Sequence, residues 1–175
     1  MKIKKAAFLL FATLLTFSLF GCSSSDSTDT PLTGIPNPMV EVSGVSDFKD
    51  QLGIDLDDSF LPTDAKYFIY SEQMLEIQFS EVNVNNEEVE IRFRAQKNTD
   101  EDISGMYGTF TEDEIPDNDL SIKHRYQEDN TVNIYDIKNT DTTYCVCVIG
   151  NTSGMQLASI MDKALVTFGI DSTFS

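Results

Sequence analysis

The chain is short of cysteine, histidine and positive charge. Three cysteines among 175 residues make no disulfide framework. The one histidine, His124, falls by strand parity on an apolar face. That is the place of a half-buried ring satisfied by one hydrogen bond, not of a general base. Twelve Lys and Arg stand against 29 Asp and Glu. A surface so acidic repels nucleic acid and anionic lipid heads, so neither is expected as a direct partner. Long hydrophobic runs are also scarce. The N-terminal one, residues 6–20, is too short to span a bilayer as a helix. No nucleophile elbow is present, since Gly150-Asn151-Thr152-Ser153-Gly154 has the wrong spacing. Glycoside hydrolysis needs two placed carboxylates. With 29 acids, pairs arise by chance and discriminate nothing.

What is present begins at the N-terminus. Lys2, Lys4 and Lys5 form a positive region, and Ala6 to Phe20 an apolar one. Leu19-Phe20-Gly21-Cys22 then reads as a lipobox, although Phe20 is bulkier than the usual residue there. The expectation is a lipoprotein signal peptide over residues 1–21, cleaved before Cys22, with Cys22 carrying the lipid and the chain working outside the cytoplasm. Acyl chains hold a membrane by about 0.8 kcal/mol per buried CH₂, so two or three of them anchor a protein firmly. Removing the three signal lysines leaves nine cations against 29 acids, a formal charge of −20. Residues 22–34, rich in Ser, Thr and Asp, read as a flexible tether with a reach on the order of 20 Å. Residues 35–175 suit a single domain.

Ile35 to Val40 begins ordered, extended chain, because each proline biases its predecessor away from helix. Ser46 reads as the N-cap of a short helix, Asp47 to Leu52, ended by Gly53. Strand patterns follow at Ala65–Tyr70, Gln73–Ser80 and Val89–Gln96. In the last two, Leu75, Ile77 and Phe79 face inward with Val89, Ile91 and Phe93. All are odd-numbered, so in a hairpin the paired positions sum to an even number. A centre at Val84 sets Ile77 opposite Ile91 and Glu76 opposite Arg92. After a loop come Leu120–Tyr126, Val132–Ile137 and Thr143–Ile149. The last is apolar on both faces, as a central or doubly covered strand is. Leu157, Met161, Ala164, Leu165 and Phe168 form one helical stripe, with Ser153 as cap and Gly169 as stop. The predicted fold class is α+β: an antiparallel sheet of about six strands, a short N-terminal helix, and a C-terminal helix packed on one face.

Candidate sites are few. Asp100, Asp102 and Ser104 before Gly105 resemble the start of a calcium loop, but position twelve is Thr111, so a solvated acidic loop is the better reading and no metal is expected. Arg92 and Arg94 share the polar face of their strand, where they offer a small cationic spot for a carboxylate ligand or pair with Glu76 and Glu90. Cys145 and Cys147 point the same way from one strand and read as small buried apolar residues.

Four segments carry a family resemblance: Gly34-Ile35-Pro36-Asn37-Pro38-Met39-Val40-Glu41, Asp47-Phe48-Lys49-Asp50-Gln51-Leu52-Gly53-Ile54, Arg94-Ala95-Gln96-Lys97, and Asp102-Ile103-Ser104-Gly105-Met106-Tyr107. Together they resemble small lipoproteins of Gram-positive anaerobes that carry a domain of unknown function, similar to C-terminal regions of some anti-sigma and sporulation-linked membrane proteins. The resemblance implies a sheet-plus-helix extracytoplasmic domain and supplies no catalytic residues and no cofactor. The leading expectation is a lipid-anchored binding or sensory module of the bacterial envelope, held to the membrane through Cys22 and meeting an envelope protein or ligand. The runner-up is a small envelope enzyme or accessory factor acting on cell-wall or carbohydrate material, which requires His124, Arg125 and an acid to converge in a cleft. A carrier of apolar cargo requires a dry space between sheet and helix.

Overall fold

The computed structural model describes residues 39–116 and 120–170. The segments expected to be a signal peptide and a tether, with Cys22 and the remaining residues up to 38, lie outside the described residues. Eight strands form one antiparallel sheet in the order β1-β2-β3-β4-β8-β7-β6-β5. The strands are β1 Met39–Val42, β2 Lys66–Tyr70, β3 Met74–Val82, β4 Glu88–Lys97, β5 Thr111–Pro116, β6 Ser121–Tyr126, β7 Val132–Asn139 and β8 Thr142–Ile149. Helix α1, Val45–Leu52, lies between β1 and β2, and α2, Gly154–Thr167, follows β8. Two four-stranded meanders therefore meet where β4 pairs with β8. Among the described residues no helix is long and apolar enough to cross a membrane.

The sheet has eight strands where six were expected. The two additional ones are its edges. β1 is four residues long and mostly exposed. β5 reads Thr-Glu-Asp-Glu-Ile-Pro, poor in strand-forming types, and owes its conformation to pairing with β6. Charge and proline suit an edge, where they discourage further pairing. Helix α1 also starts earlier than expected. Its N-cap is Gly44, not Ser46, and the Asp47 carboxylate inside the first turn accepts the Ser43 N–H at 2.7 Å. Gly53 ends it at φ +66°.

The β3–β4 hairpin keeps its expected parity but slips by two residues. Ile77 faces Phe93, not Ile91, and Glu76 faces Arg94, not Arg92. The reason is the turn. Asn83 Oδ1 accepts the N–H groups of Asn85 and Glu87, both at 2.9 Å, and Asn86 takes φ +61°. This centres the loop on Asn85, one residue beyond Val84, in the three-residue geometry that ends on a left-handed residue.

One face of the sheet carries the main core. Leu75, Ile77, Ile91 and Phe93 of the first meander join Ile137, Val146 and Val148 of the second beneath Ile160, Ala164 and Leu165 of α2. Phe168 bridges the two halves, its ring 5.6 Å from Phe93 and 4.5 Å from Tyr144. Phe48 anchors α1 on the same side, 6.0 Å from Tyr67. Ser153 caps α2, accepting the Gln156 N–H at 3.2 Å. β8 is central and apolar on both faces because both are covered: α2 packs on one, and residues 98–110 cross the other.

Topology requires that crossing. β4 ends at one end of the sheet, and β5 begins at the opposite end of the far edge. With strands spaced about 4.8 Å apart, the connection must run diagonally over β8, β7 and β6. We call residues 98–110 the strap.

Candidate functional site

The strapped face presents the even-numbered side chains of β3, β4 and β7 and the odd-numbered ones of β6 and β8. By alternation alone these are the polar face. Covered by the strap, several of them are buried. Glu76 is 0% exposed and Arg94 7%. Arg94 Nε donates to Glu76 Oε2, and Arg94 Nη1 donates to the Ile103 carbonyl at 2.9 Å. Tyr70 and Gln78 both donate to Glu76 Oε1. One buried carboxylate thus accepts from three side chains, and one buried guanidinium joins two strands to the strap. A buried ion pair persists when further hydrogen bonds satisfy its oxygens, as Tyr70 and Gln78 do for Glu76. Gly105 lets the strap descend onto it. Its φ is +62°, and a Cβ there would run into Arg94 Nη1.

A second knot lies beside the first. Arg125 on β6 donates through Nη1 and Nη2 to both oxygens of Asp102, at 2.8 and 2.9 Å, and through Nε to Asp136 at 2.6 Å. Burial works against the charge on Arg125, but hydrogen bonds to Asp102 and Asp136 outweigh it and raise its pKa. Burial likewise disfavours the Asp102 carboxylate. Hydrogen bonds from Arg125 and Ser104 prevail and lower it to about 2. Lys138 pairs with Asp100, and Thr143 donates to the Thr99 carbonyl at 2.7 Å. The strap is therefore held by ionic and hydrogen-bonded fastenings along its length. Beneath it Ile103, Met106 and Phe110 pack on Val132, Ile134, Cys145 and Cys147.

The sequence-derived site residues find these places. Arg94 pairs with Glu76 and Arg92 with Glu90, as the intrachain reading expects. Asp100 and Asp102 turn their carboxylates to Lys138 and Arg125, and the Ser104 hydroxyl accepts the Met106 N–H at 3.2 Å, so the three do not converge. Thr111 lies in β5 opposite Tyr126. Among the described residues no group of three His, Cys, Asp or Glu side chains is placed to hold a metal ion. Cys145 and Cys147 are buried free thiols with sulfurs 3.6 Å apart. Hydrogen bonding to Cys147 and burial both push the Cys145 thiol up, so it stays protonated. His124 projects to the other face with Ile122. It stacks on Tyr135 at 4.3 Å and on Tyr126 at 4.9 Å, with Nε2 at 3.0 Å from Asn133 Oδ1. Adjacent strand residues alternate in direction, so His124 and Arg125 point to opposite faces and share no cleft.

Sequence reasoning raised Arg125 only as a companion of His124, and missed its pairing with Asp102 and Asp136 and the burial of Glu76. The available signal was the apolar Ile103 that directly follows the acidic stretch 100–102. It implies that this loop touches something apolar.

Two open depressions remain on the strapped face. One, about 420 Å³, lies beside the strap among Asp102, Glu112, Lys123, Arg125 and Lys138. The other, about 700 Å³, lies over the uncovered part of β2, β3 and β4 and is bordered by Lys66, Gln78, Ser80, Glu88 and Glu90. Both are polar and mixed in charge. No family model, curated protein or solved structure matches the chain.

Proposed function

We propose that this protein is a lipid-anchored binding or sensory module on the extracytoplasmic side of a bacterial membrane, tethered through Cys22 and meeting its ligand on the strapped face. The observation that supports binding is the 700 Å³ furrow, whose walls offer donors and acceptors on rigid central strands. Lys66, Gln78, Ser80, Glu88 and Glu90 come from three neighbouring strands, so their spacing is set by the sheet. Such a surface suits a polar ligand or the polar rim of a protein partner. The lipobox supports the anchoring, and the resemblance to small envelope lipoproteins accords with both.

Two variants test the proposal. Cys22→Ser removes the acylated sulfur, and the protein is then expected in the soluble fraction or retained with its signal uncleaved. Normal processing with continued partition into detergent would overturn the anchor. Ser80→Arg fills the furrow on the exposed side of β3. Capture from solubilised envelope by wild type, lost with Ser80→Arg, is the expected result. Equal capture by both would remove the furrow from the reading.

A further inference from the structure

The opposite face of the sheet carries a second, differently built surface. Between the first turns of α2 and strands β5 and β7 runs an open groove of about 280 Å³, lined by Ile115, Tyr135, Leu157, Ala158, Met161 and Asp162. Among the described residues that line it, all but Asp162 are apolar or small, and none is a lysine or arginine. It continues into a row of stacked rings. His124 stacks on Tyr135 almost in parallel, at 2°, and Tyr126 stacks on the far side of His124. At the end of that row Asp113 of β5 stands opposite His124 of β6, and the nearby negative charges of Asp113 and Glu128 raise the pKa of the Tyr126 hydroxyl. Apolar volume, aromatic rings and carboxylates thus follow one another across a single surface. The chain as a whole carries a formal charge of −17.

We propose that this groove is a docking site for a basic amphipathic segment of a partner protein. An apolar side chain of the segment enters between Ile115, Leu157 and Met161, and a neighbouring lysine or arginine lies along the Tyr126 ring toward Asp113. The chemistry is complementary at each step. The groove volume accommodates one or two large apolar side chains, an aromatic face attracts a cation, and Asp113 and Asp162 supply opposite charge at the two ends. An acidic segment would bring like charges to both ends, and a purely polar one would leave the groove unfilled.

The test uses the chain from Cys22 to Ser175, unlipidated, and two labelled synthetic helices of about 18 residues, one of Leu and Lys and one of Leu and Glu with the same apolar stripe. Fluorescence anisotropy reads binding. The Leu/Lys helix is expected to bind and the Leu/Glu helix to fail. Ala158→Arg places bulk and positive charge in the groove at an exposed helix position. It is expected to weaken binding by about tenfold or more, which corresponds to about 1.4 kcal/mol. Ser159→Arg makes the same change of charge on the outward side of α2 and is expected to leave affinity within about twofold. Asp113→Asn should weaken binding and reduce its dependence on salt. Binding of both helices alike, no binding of either, or an equal response to Ala158→Arg and Ser159→Arg would overturn the proposal. The last result would reduce the attraction to net charge alone.

Discussion

At the scale of single residues, Glu76 carries the heaviest constraint. It sits on a strand position that alternation assigns to solvent, yet it is wholly buried and accepts from Arg94, Tyr70 and Gln78. Removing one member of a buried pair leaves the other charge without compensation, a loss of about 3–5 kcal/mol. Glu76→Ala is therefore expected to lower the unfolding free energy by that amount in urea titration. The double variant Glu76→Leu/Arg94→Met, which replaces the pair with apolar groups of similar bulk, should recover most of it. A double variant no better than Glu76→Ala would mean that Arg94 matters chiefly through its bond to the strap at the Ile103 carbonyl. His124 needs no such apparatus. Its stacking and its contact with Asn133 account for it structurally.

At the scale of elements, the strap and α2 cover opposite faces by different physics. The strap is held largely by charge. The Asp102 carboxyl is lowered from 3.8 to about 2, so its contribution is complete above pH 4 and is lost as pH falls through the range between those values. Pepsin cutting within residues 98–110 should therefore rise between about pH 4 and pH 2 in the wild type. Asp102→Asn, which lacks the ion pair at every pH, should already be cut at pH 4. Equal cutting of the two across that range would show that the strap does not depend on Asp102. Helix α2 is held by apolar burial instead. Leu165 is 1% exposed among the core residues of both meanders. Leu165→Ala should cost about 2–5 kcal/mol in the isolated protein. An unchanged melting midpoint would mean that the helix detaches from the sheet and that its stripe serves a partner.

At the scale of the whole molecule, the decisive feature is the seam between β4 and β8. Eight residue pairs join the meanders there, from Glu90↔Ile149 to Lys97↔Thr142. The core above it is shared: Leu75 and Phe93 from one half belong to the same cluster as Ile137 and Tyr144 from the other. Neither meander closes its own core. The protein should therefore unfold in one cooperative transition, with far-ultraviolet circular dichroism and tyrosine fluorescence giving coincident thermal curves. Two separated transitions would show that each meander is stable alone. The two proposed binding surfaces lie on opposite faces of this one sheet, so each can be altered without rebuilding the other.

Local pattern determined much of this architecture on its own. Alternation in β3 and β4 identified the inward residues, and the parity of their pairing survived even though the register moved by two, because Asn83 and Asn86 placed the turn one residue later. The two-sided apolarity of Thr143–Ile149 marked a central strand, and the stripe of α2 marked the helix that covers it. The edges β1 and β5 were not legible, since their conformation comes from a neighbour's hydrogen bonds and not from their own composition. Nor were the burial of Glu76 or the partnership of Arg125 with Asp102 and Asp136. Periodicity tells which residues share a face, but not what crosses that face. Here the answer depended on strand order. With β4 and β5 four strands apart and parallel, β4 finishes at the end of the sheet opposite to the start of β5, so the connecting chain crosses the face that α2 leaves open, and that passage buries the Glu76–Arg94 pair and clamps Arg125.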